Sequence, residues 1–335
     1  MSDTPAPGIP PFRPKRGLSN GHVMTIFAWA GGRAFPELPA PEARLFRVAP
    51  DTQVLAHCYW QADRAGHPTL VALHGLEGSS EAHYMRGLAA KAWRRGWNAV
   101  LVNQRNCGGT EHLSPSLYHS GLTPDPLSII RELVATDHLD TIGIVGYSLG
   151  GNLALRLAGE IADGRLPAVR GVVAVSPTID LDLCVRAIER RSNFPYQWNF
   201  VRNLKARLRR KAAHWPGVFD LQPLGRIWTI RAFDAAYTAP HHGFRNAEDY
   251  YYRASALRVI DRVTVPALII AASDDPFVPA SQFLAPEVAG NPHIHVAISV
   301  RGGHCGFVSA PQDASDDGYW AETAAVAFLA EVMRA

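Results

Sequence analysis

Two serines of this chain lie in the pattern G-x-S-x-G: Ser19 within residues 17–21 and Ser148 within residues 146–150. The pattern is typical of a nucleophilic serine on a sharp turn, where glycines let a strand and the following helix approach closely. Only Ser148 has that context, because the apolar run 141–145 precedes it and a helical pattern follows it. The segment before Ser19 is instead rich in proline and basic residues. We predict Ser148 as the nucleophile, since a serine that only caps a helix would not require glycine on both sides.

A base for this serine is predicted at His304. A serine hydroxyl is a weak nucleophile that needs a neighbouring base, and the base needs a carboxylate that orients it. In the fold that carries a serine on such a strand-to-helix turn, the order along the chain is serine, then acid, then histidine. His304 lies in a glycine-rich loop after the last apolar run, whereas His293 and His295 flank that run or lie within it and are predicted to be structural. The alternative for His304 is an ordinary loop histidine.

The orienting carboxylate is predicted on the loop that follows the preceding apolar run, residues 267–272. We favour Asp275, because hydrolases with this arrangement commonly read D-x-x-V-P here, as residues 275–279 do. Asp274 is the second candidate, although it could instead be a turn or capping residue, and Asp180 is the third.

Backbone donors for a developing oxyanion are predicted at Leu149 and Leu76. In this kind of site the residue after the nucleophile supplies one N–H group, and the loop after the first central strand supplies the other. That loop reads H-G-L-E-G at residues 74–78. The alternative is a plain turn between a strand and a helix.

Short apolar runs separated by helical patterns must position these residues. The runs are 69–73, 98–102, 141–145, 169–176, 267–272 and 295–300, and two earlier strands are expected at 44–48 and 53–60. Helices are expected near 23–29, along 82–93 and 149–161, and after Asp125, interpreted as an N-cap with Pro126 at the first helical position. This alternation indicates an α/β fold, with a mostly parallel central sheet covered by helices on both faces.

We predict three parts: an N-terminal arm at 1–43, a core formed by 44–180 and 261–335, and a helical cap inserted at 181–260. The cap holds 13 of the 31 aromatic residues. These could line an acyl pocket or simply form the core of the cap, and both interpretations stay open.

The cap is also strongly basic, with 14 Lys and Arg residues against 6 Asp and Glu. Its densest charge is the run Arg202, Lys205, Arg207, Arg209, Arg210 and Lys211. Such a run is usually a solvated helix face. The sharper hypothesis is that it attracts anionic lipid, or substrates that carry phosphate or carboxylate.

Composition excludes several classes of protein. Apolar residues make up 47% of the chain, which argues against disorder. The 33 basic residues nearly balance the 30 acidic ones, which argues against a nucleic-acid binder. The four cysteines are isolated from one another and predict neither a zinc module nor a disulfide framework. With no signal-peptide pattern at the N-terminus and no apolar run long enough to span a bilayer, we expect a soluble cytoplasmic protein.

These motifs resemble the α/β-hydrolase superfamily, and within it the YheT-like branch of carboxylesterases, which is similar to the ABHD lipid-hydrolase group. The resemblance is carried by G-L-S-N at 17–20, H-G-L-E-G-S at 74–79, Y-H-S-G at 118–121, G-Y-S-L-G-G-N at 146–152, T-A-P at 238–240 with G-F at 243–244, Y-Y at 251–252, D-D-P-F at 274–277 and G-G-H at 302–304. It implies that Ser148, Asp275 and His304 are the charge-relay residues. One departure is Asn106, where the branch leads us to expect glycine.

The sequence therefore predicts a serine hydrolase that cleaves carboxylic esters through an acyl-enzyme. The substrates would be esters with short or medium acyl chains, or lipid-like esters. Its partner would be a small-molecule ester, and the chemistry needs no metal or organic cofactor. One alternative is an acyltransferase that uses the same three residues. Another is a non-catalytic ligand-binding module on a hydrolase fold, although such modules typically lose one of the three. The oligomeric state is not predicted.

Overall fold

The computed structural model describes residues 9–162, 164, 166–311 and 316–334, and its centre is an eight-stranded sheet. The strands are β1 (Glu42–Ala49), β2 (Thr52–Tyr59), β3 (Thr69–Leu73), β4 (Asn98–Val102), β5 (Ile142–Tyr147), β6 (Val169–Val175), β7 (Ala267–Ala272) and β8 (Ile294–Ser299). Their order across the sheet is β1-β2-β4-β3-β5-β6-β7-β8. β1 and β2 run antiparallel to their neighbours and the other strands are parallel, which confirms the predicted α/β fold.

The central strands are completely buried, and for that reason they appear in the sequence as continuous apolar runs. Every residue of β3, β4, β5 and β7 is buried, because helices cover both faces of the sheet there. β3, β4 and β7 begin and end at the predicted residues, and the other strands differ from the prediction by one or two residues.

Eleven α-helices occur in the described residues, besides several short 3-10 or π turns. They are α1 (Gly21–Ala30), α2 (His83–Trp93), α3 (Pro124–Asp137), α4 (Leu149–Glu160), α5 (Leu181–Ile188), α6 (Phe194–His214), α7 (Ile230–Phe233), α8 (Ala239–His241), α9 (Ala247–Ala254), α10 (Pro286–Ala289) and α11 (Trp320–Val332). α2 and α11 pack on one face of the sheet, and α3 and α4 pack on the other. None of the described helices combines the length and the apolar composition that crossing a bilayer requires.

The predicted start of α3 is wrong by two residues. The helix begins at Pro124 after Thr123, so Asp125 lies inside its first turn instead of capping it. The reason is an ion pair: both carboxylate oxygens of Asp125 accept hydrogen bonds from the guanidinium of Arg105, at 2.7 and 2.6 Å. The side chain is therefore not available to the free N–H groups of the helix.

The chain between β6 and β7 forms helices α5 to α9 and contains no strand. We call these five the cap helices. Their apolar side chains, such as Leu204, Leu208 and Phe233, belong to the same hydrophobic cluster as the face of the sheet that α3 and α4 cover.

The N-terminal arm packs on the side of the core that α2 and α11 cover and is fastened at several points. Pro14 forms a bridge with Ser309, and α1 follows. Beyond α1, the guanidinium of Arg33 pairs with Glu322 on α11 at 2.5 Å. These contacts fix both ends of α1 against the core.

Candidate active site

Ser148 lies on the turn between β5 and α4, with a backbone φ of 53°. The turn depends on its glycines. A Cβ atom at Gly146 would lie 2.1 Å from the carbonyl oxygen of Gly150, and one at Gly150 would lie 2.3 Å from that of Leu73. The close approach of strand and helix therefore excludes larger residues at both positions.

The structure brings Ser148, His304 and Asp275 together, although they come from distant parts of the chain. The Nε2 atom of His304 is 3.0 Å from the Oγ atom of Ser148, and its Nδ1 atom is 2.8 Å from Oδ2 of Asp275. The other oxygen of Asp275 accepts hydrogen bonds from the N–H groups of Phe277 and Val278. Since this carboxylate is 1% exposed, its orientation is fixed by protein groups alone.

The environment of His304 has two opposing effects on its charge. Burial acts to lower the pKa of the imidazole, but the Asp275 carboxylate and the Cys305 side chain together outweigh it, and the pKa is raised above its ordinary value. Asp275 therefore stabilises the imidazolium that forms when His304 takes up a proton. The Phe277 ring packs on this imidazole, with centroids 4.1 Å apart.

The alternative candidates for acid and base have other partners. Oδ1 of Asp274 accepts a hydrogen bond from the N–H of Gly303 and so supports the loop that carries His304. Asp180 caps α5, because its side chain accepts from the N–H of Leu183. His293 donates its backbone N–H to Asn291, and His295 lies on β8 beside Phe328. None of these four shares a side-chain hydrogen bond with Ser148.

The loop at residues 74–78 lies directly against the turn that carries Ser148. A Cβ atom on Gly75 would be 3.2 Å from the Cβ atom of Ser148. The hydrogen bonds of the described residues include none from the N–H of Leu76 or of Leu149, which is the first residue of α4. Both donors are therefore available to an oxygen atom beside Ser148.

His74 has a structural role in this loop. It is completely buried, and burial lowers its pKa to about 4, so the ring is neutral. Its Nε2 atom accepts from the N–H of Gln104 at 3.1 Å, which leaves Nδ1 protonated to donate to the Gly75 carbonyl at 2.8 Å.

Two tyrosines for which the sequence predicted no role hold the same loop. The hydroxyl of Tyr84 accepts a hydrogen bond from the N–H of Gly75, and the hydroxyl of Tyr118 accepts one from the N–H of Glu77. Glu77 has a φ of 61°, which is uncommon for a residue other than glycine.

Part of the basic run on α6 points into the protein. The guanidinium of Arg207 lies 3.1 Å from the carboxylate of Glu77, and both side chains are buried. Arg210 pairs with Glu111 at 2.7 Å. Lys211 is fully buried and donates to the side chain of Asn106 and to the Ser114 carbonyl.

These contacts limit the solvated-face interpretation of the basic run to Arg202, Lys205 and Arg209. The other three residues of the run fasten α6 to the loops beside the site.

Asn106 is the residue that departs from the branch pattern. Its backbone φ is 67°, a conformation that asparagine tolerates better than most residues.

Thr25 on α1 is a further residue that the sequence did not indicate. Its Oγ1 atom accepts a hydrogen bond from the N–H of His304 at 2.8 Å and donates one to the Gly21 carbonyl at 2.6 Å. Ser19, in the second G-x-S-x-G pattern, is exposed just before this helix, and Asn20 caps it through bonds from two backbone N–H groups. The arm thus supports the loop of His304.

A cavity of about 120 Å³ opens at Ser148 beneath the cap helices. Its wall is mainly apolar and comes from core and cap alike: Leu76, Leu117 and Phe277 from the core, and Leu181, Val185, Ile188, Phe200, Leu204, Leu208, Ile230 and Phe233 from the cap. Asp234 also lines it; burial raises the pKa of this carboxyl to about 6, and the hydroxyl of Tyr251 donates to it at 2.7 Å. Such a wall suits an acyl chain. Among the described residues, no three His, Cys, Asp or Glu side chains are grouped so that they could hold a metal ion.

Comparisons with known proteins agree with this architecture. The family described as alpha/beta hydrolase fold matches residues 68–311. The chain is 36% identical over 300 residues to the Escherichia coli (strain K12) protein named "Putative esterase YheT", covering 89% of this chain and 87% of that protein. It is 26% identical over 250 residues to phospholipase ABHD3 of Mus musculus, covering 74% and 60% of the two chains.

Solved structures show the same fold at lower identity. The esterase Pf2001 of Pyrococcus furiosus superposes with a TM-score of 0.59 at 15% identity, over 90% of this chain and 97% of that one. Est1E from Butyrivibrio proteoclasticus gives a TM-score of 0.56 at 13% identity, over 88% and 100%. These likenesses concern the fold alone.

Proposed function

The chain belongs to the α/β-hydrolase family, and from this premise we propose that it is a serine hydrolase that cleaves carboxylic esters through an acyl-enzyme intermediate. The observation that supports this most directly is the pair of distances at His304: 3.0 Å to the hydroxyl of Ser148 and 2.8 Å to the carboxylate of Asp275. A hydroxyl, a base and an orienting acid in this order are the parts that acyl transfer to serine requires.

In the first half of the reaction, Ser148 Oγ attacks the ester carbonyl while Nε2 of His304 takes up the hydroxyl proton. His304 then gives this proton to the departing alkoxide, and the acyl group stays on Ser148. In the second half, His304 removes a proton from water, the hydroxide attacks the acyl-enzyme, and the acid is released as Ser148 regains its proton. Asp275 stays ionised and holds the proton on Nδ1 throughout.

The negative charge that develops on the carbonyl oxygen would be bound by the N–H groups of Leu76 and Leu149. Preorganised donors of this kind contribute about 3–4 kcal/mol each to transition-state stabilisation in other hydrolases. Leu149 is fixed by α4, and Leu76 lies between Gly75 and Glu77, whose own N–H groups are held by tyrosine hydroxyls. This bracing supports the assignment, because a donor must be in place before the charge forms.

The acyl chain would occupy the cavity beneath the cap helices. The cavity is small, about 120 Å³, and its wall is mainly apolar. These two properties favour short or medium acyl chains over long ones.

Kinetics with p-nitrophenyl esters from acetate to palmitate test the proposal. Ser148→Ala should lose activity by about 10⁴-fold or more, since the nucleophile is absent. Ser19→Ala is the matched control, because it changes the serine of the other G-x-S-x-G pattern, and it should retain wild-type activity. Full activity of Ser148→Ala, or a folded wild-type protein inactive on every ester, would contradict the proposal.

A further inference from the structure

Helix α1 has a buried face and an exposed apolar face. The buried face rests on the loop of His304, through Thr25 among others. The exposed face carries four large apolar side chains: Val23 (48% exposed), Ile26 (52%), Phe27 (42%) and Trp29 (73%). α1 contains no Lys, Arg, Asp or Glu. A helix that meets only water normally places charged or polar residues on its outer face, so this face is adapted to another environment.

The chain next to this face is positively charged. Arg13, Lys15 and Arg16 are exposed, and none of them has an ion-pair partner within the described part of the chain. Lys15 lies with its Nζ atom 5.6 Å from the centre of the Phe27 ring, so the charge and the apolar face are adjacent. No Asp or Glu occurs anywhere from residue 9 to residue 36.

We propose that α1 together with residues 13–16 is a docking surface for an anionic lipid bilayer. The apolar face enters the boundary between headgroups and acyl chains, where tryptophan is a favoured residue, and the three cations contact anionic headgroups. The occupant is identified by this combination, because the charge requires an anionic partner and the aromatic and aliphatic side chains require an apolar layer beside it. This surface is distinct from the basic run of α6.

Docking at α1 would bring the bilayer close to the candidate active site. An α-helix with its side chains is about 10 Å across. Because the opposite face of α1 bonds to the backbone of His304, a docked bilayer would lie about that far from the loop that carries the proposed base. The helix is already fixed by Thr25 and by the pairing of Arg33 with Glu322, so docking costs little ordering of the chain.

Co-sedimentation with phosphatidylcholine vesicles, with and without phosphatidylglycerol, tests the proposal. The protein used carries Ser148→Ala, so that binding is measured without turnover and independently of the proposed esterase activity. We expect binding to the vesicles that contain phosphatidylglycerol, weakening as salt is added. The triple change Arg13→Gln, Lys15→Gln and Arg16→Gln should weaken it roughly 100-fold, since each cation near such a surface contributes about fivefold.

The apolar face is tested by Ile26→Gln, alone and with Phe27→Gln and Trp29→Gln. Leu45→Gln is the matched control for Ile26→Gln, because Leu45 is 46% exposed on β1 at the far edge of the sheet. The control for the charge lost in the triple change is the combination of Arg131→Gln, Arg170→Gln and Arg262→Gln. These three arginines are also exposed, but they lie away from α1. The control variants should bind as the parent does, and thermal unfolding checks that every variant is folded.

Three results would overturn the proposal. The first is that the parent binds equally with and without phosphatidylglycerol, and the second is that either set of α1 variants binds as well as the parent. The third is that the parent self-associates without lipid and the Gln variants of the apolar face are monomers, because a second copy of the chain would then be the occupant.

Discussion

Thr25→Val tests whether the N-terminal arm positions the proposed base. Valine keeps the shape of threonine but removes the hydroxyl that accepts the N–H of His304 at 2.8 Å. Thr25 is buried, so water cannot readily replace it, and an unsatisfied buried N–H costs about 1–3 kcal/mol. If the loop moves to satisfy that N–H, the 3.0 Å approach of His304 to Ser148 is lost.

At 1.36 kcal/mol for each factor of ten, this cost predicts a decrease in kcat of about 5- to 150-fold for Thr25→Val. The KM should change by less than about threefold, because Thr25 does not line the cavity beneath the cap helices. Thr25→Ser, which keeps the hydroxyl, should stay within about threefold of the wild-type kcat. The assay is steady-state hydrolysis of p-nitrophenyl butyrate, with urea unfolding of each variant to separate loss of positioning from loss of folded protein.

The reasoning would be refuted by Thr25→Val with a kcat within twofold of the wild type. It would also be refuted if Thr25→Ser were as impaired as Thr25→Val, because the methyl group and not the hydroxyl would then be the part that matters.

Two further predictions concern buried charges. Asp275→Asn should lower kcat by about 10⁴-fold and move the acid limb of the kcat/KM profile to lower pH. The carboxylate raises the pKa of His304, and His304 must be neutral to act as a base. Without the carboxylate, the neutral form of His304 therefore persists to lower pH. A pH-rate series checks this, and an unmoved limb would count against the pairing. Arg207→Met should lower the free energy of unfolding by about 3–5 kcal/mol by leaving Glu77 buried without its partner, and adding Glu77→Gln should recover much of the loss. Urea unfolding of the four proteins gives the coupling, and additive effects would show that the pair does not interact.

The sheet was predictable because its central strands are buried on both faces and therefore read as short, continuous apolar runs. Residues 69–73, 98–102 and 267–272 needed no correction for this reason. The proposed nucleophile could also be predicted, because the close approach of the strand and the helix at this turn requires the glycines around Ser148.

The basic run on α6 was harder to interpret, because charged residues usually lie in solvent. The spacing of the residues along the helix indicates which of them are buried. Arg207 and Lys211 share a stripe with Leu204 and Leu208, at spacings of three and four, and that stripe faces the core. Weighing the period above the charge would have predicted their burial.

Other features could not be predicted from one sequence. The bond between Thr25 and His304 joins residues that are 279 positions apart, and nothing in either segment indicates the other. The start of α3 was mispredicted because the rule for capping residues is local, whereas the partner of Asp125 is Arg105, 20 residues earlier. Tertiary partners of this kind override local preferences.

The most direct measurement of the central claim is the mass of the folded protein after reaction with a fluorophosphonate, followed by peptide mapping. A base within reach of one activated serine predicts a single adduct, located on Ser148, absent in Ser148→Ala and retained in Ser19→Ala. An adduct on Ser19 or another residue, or no adduct on the folded wild-type protein, would contradict the account.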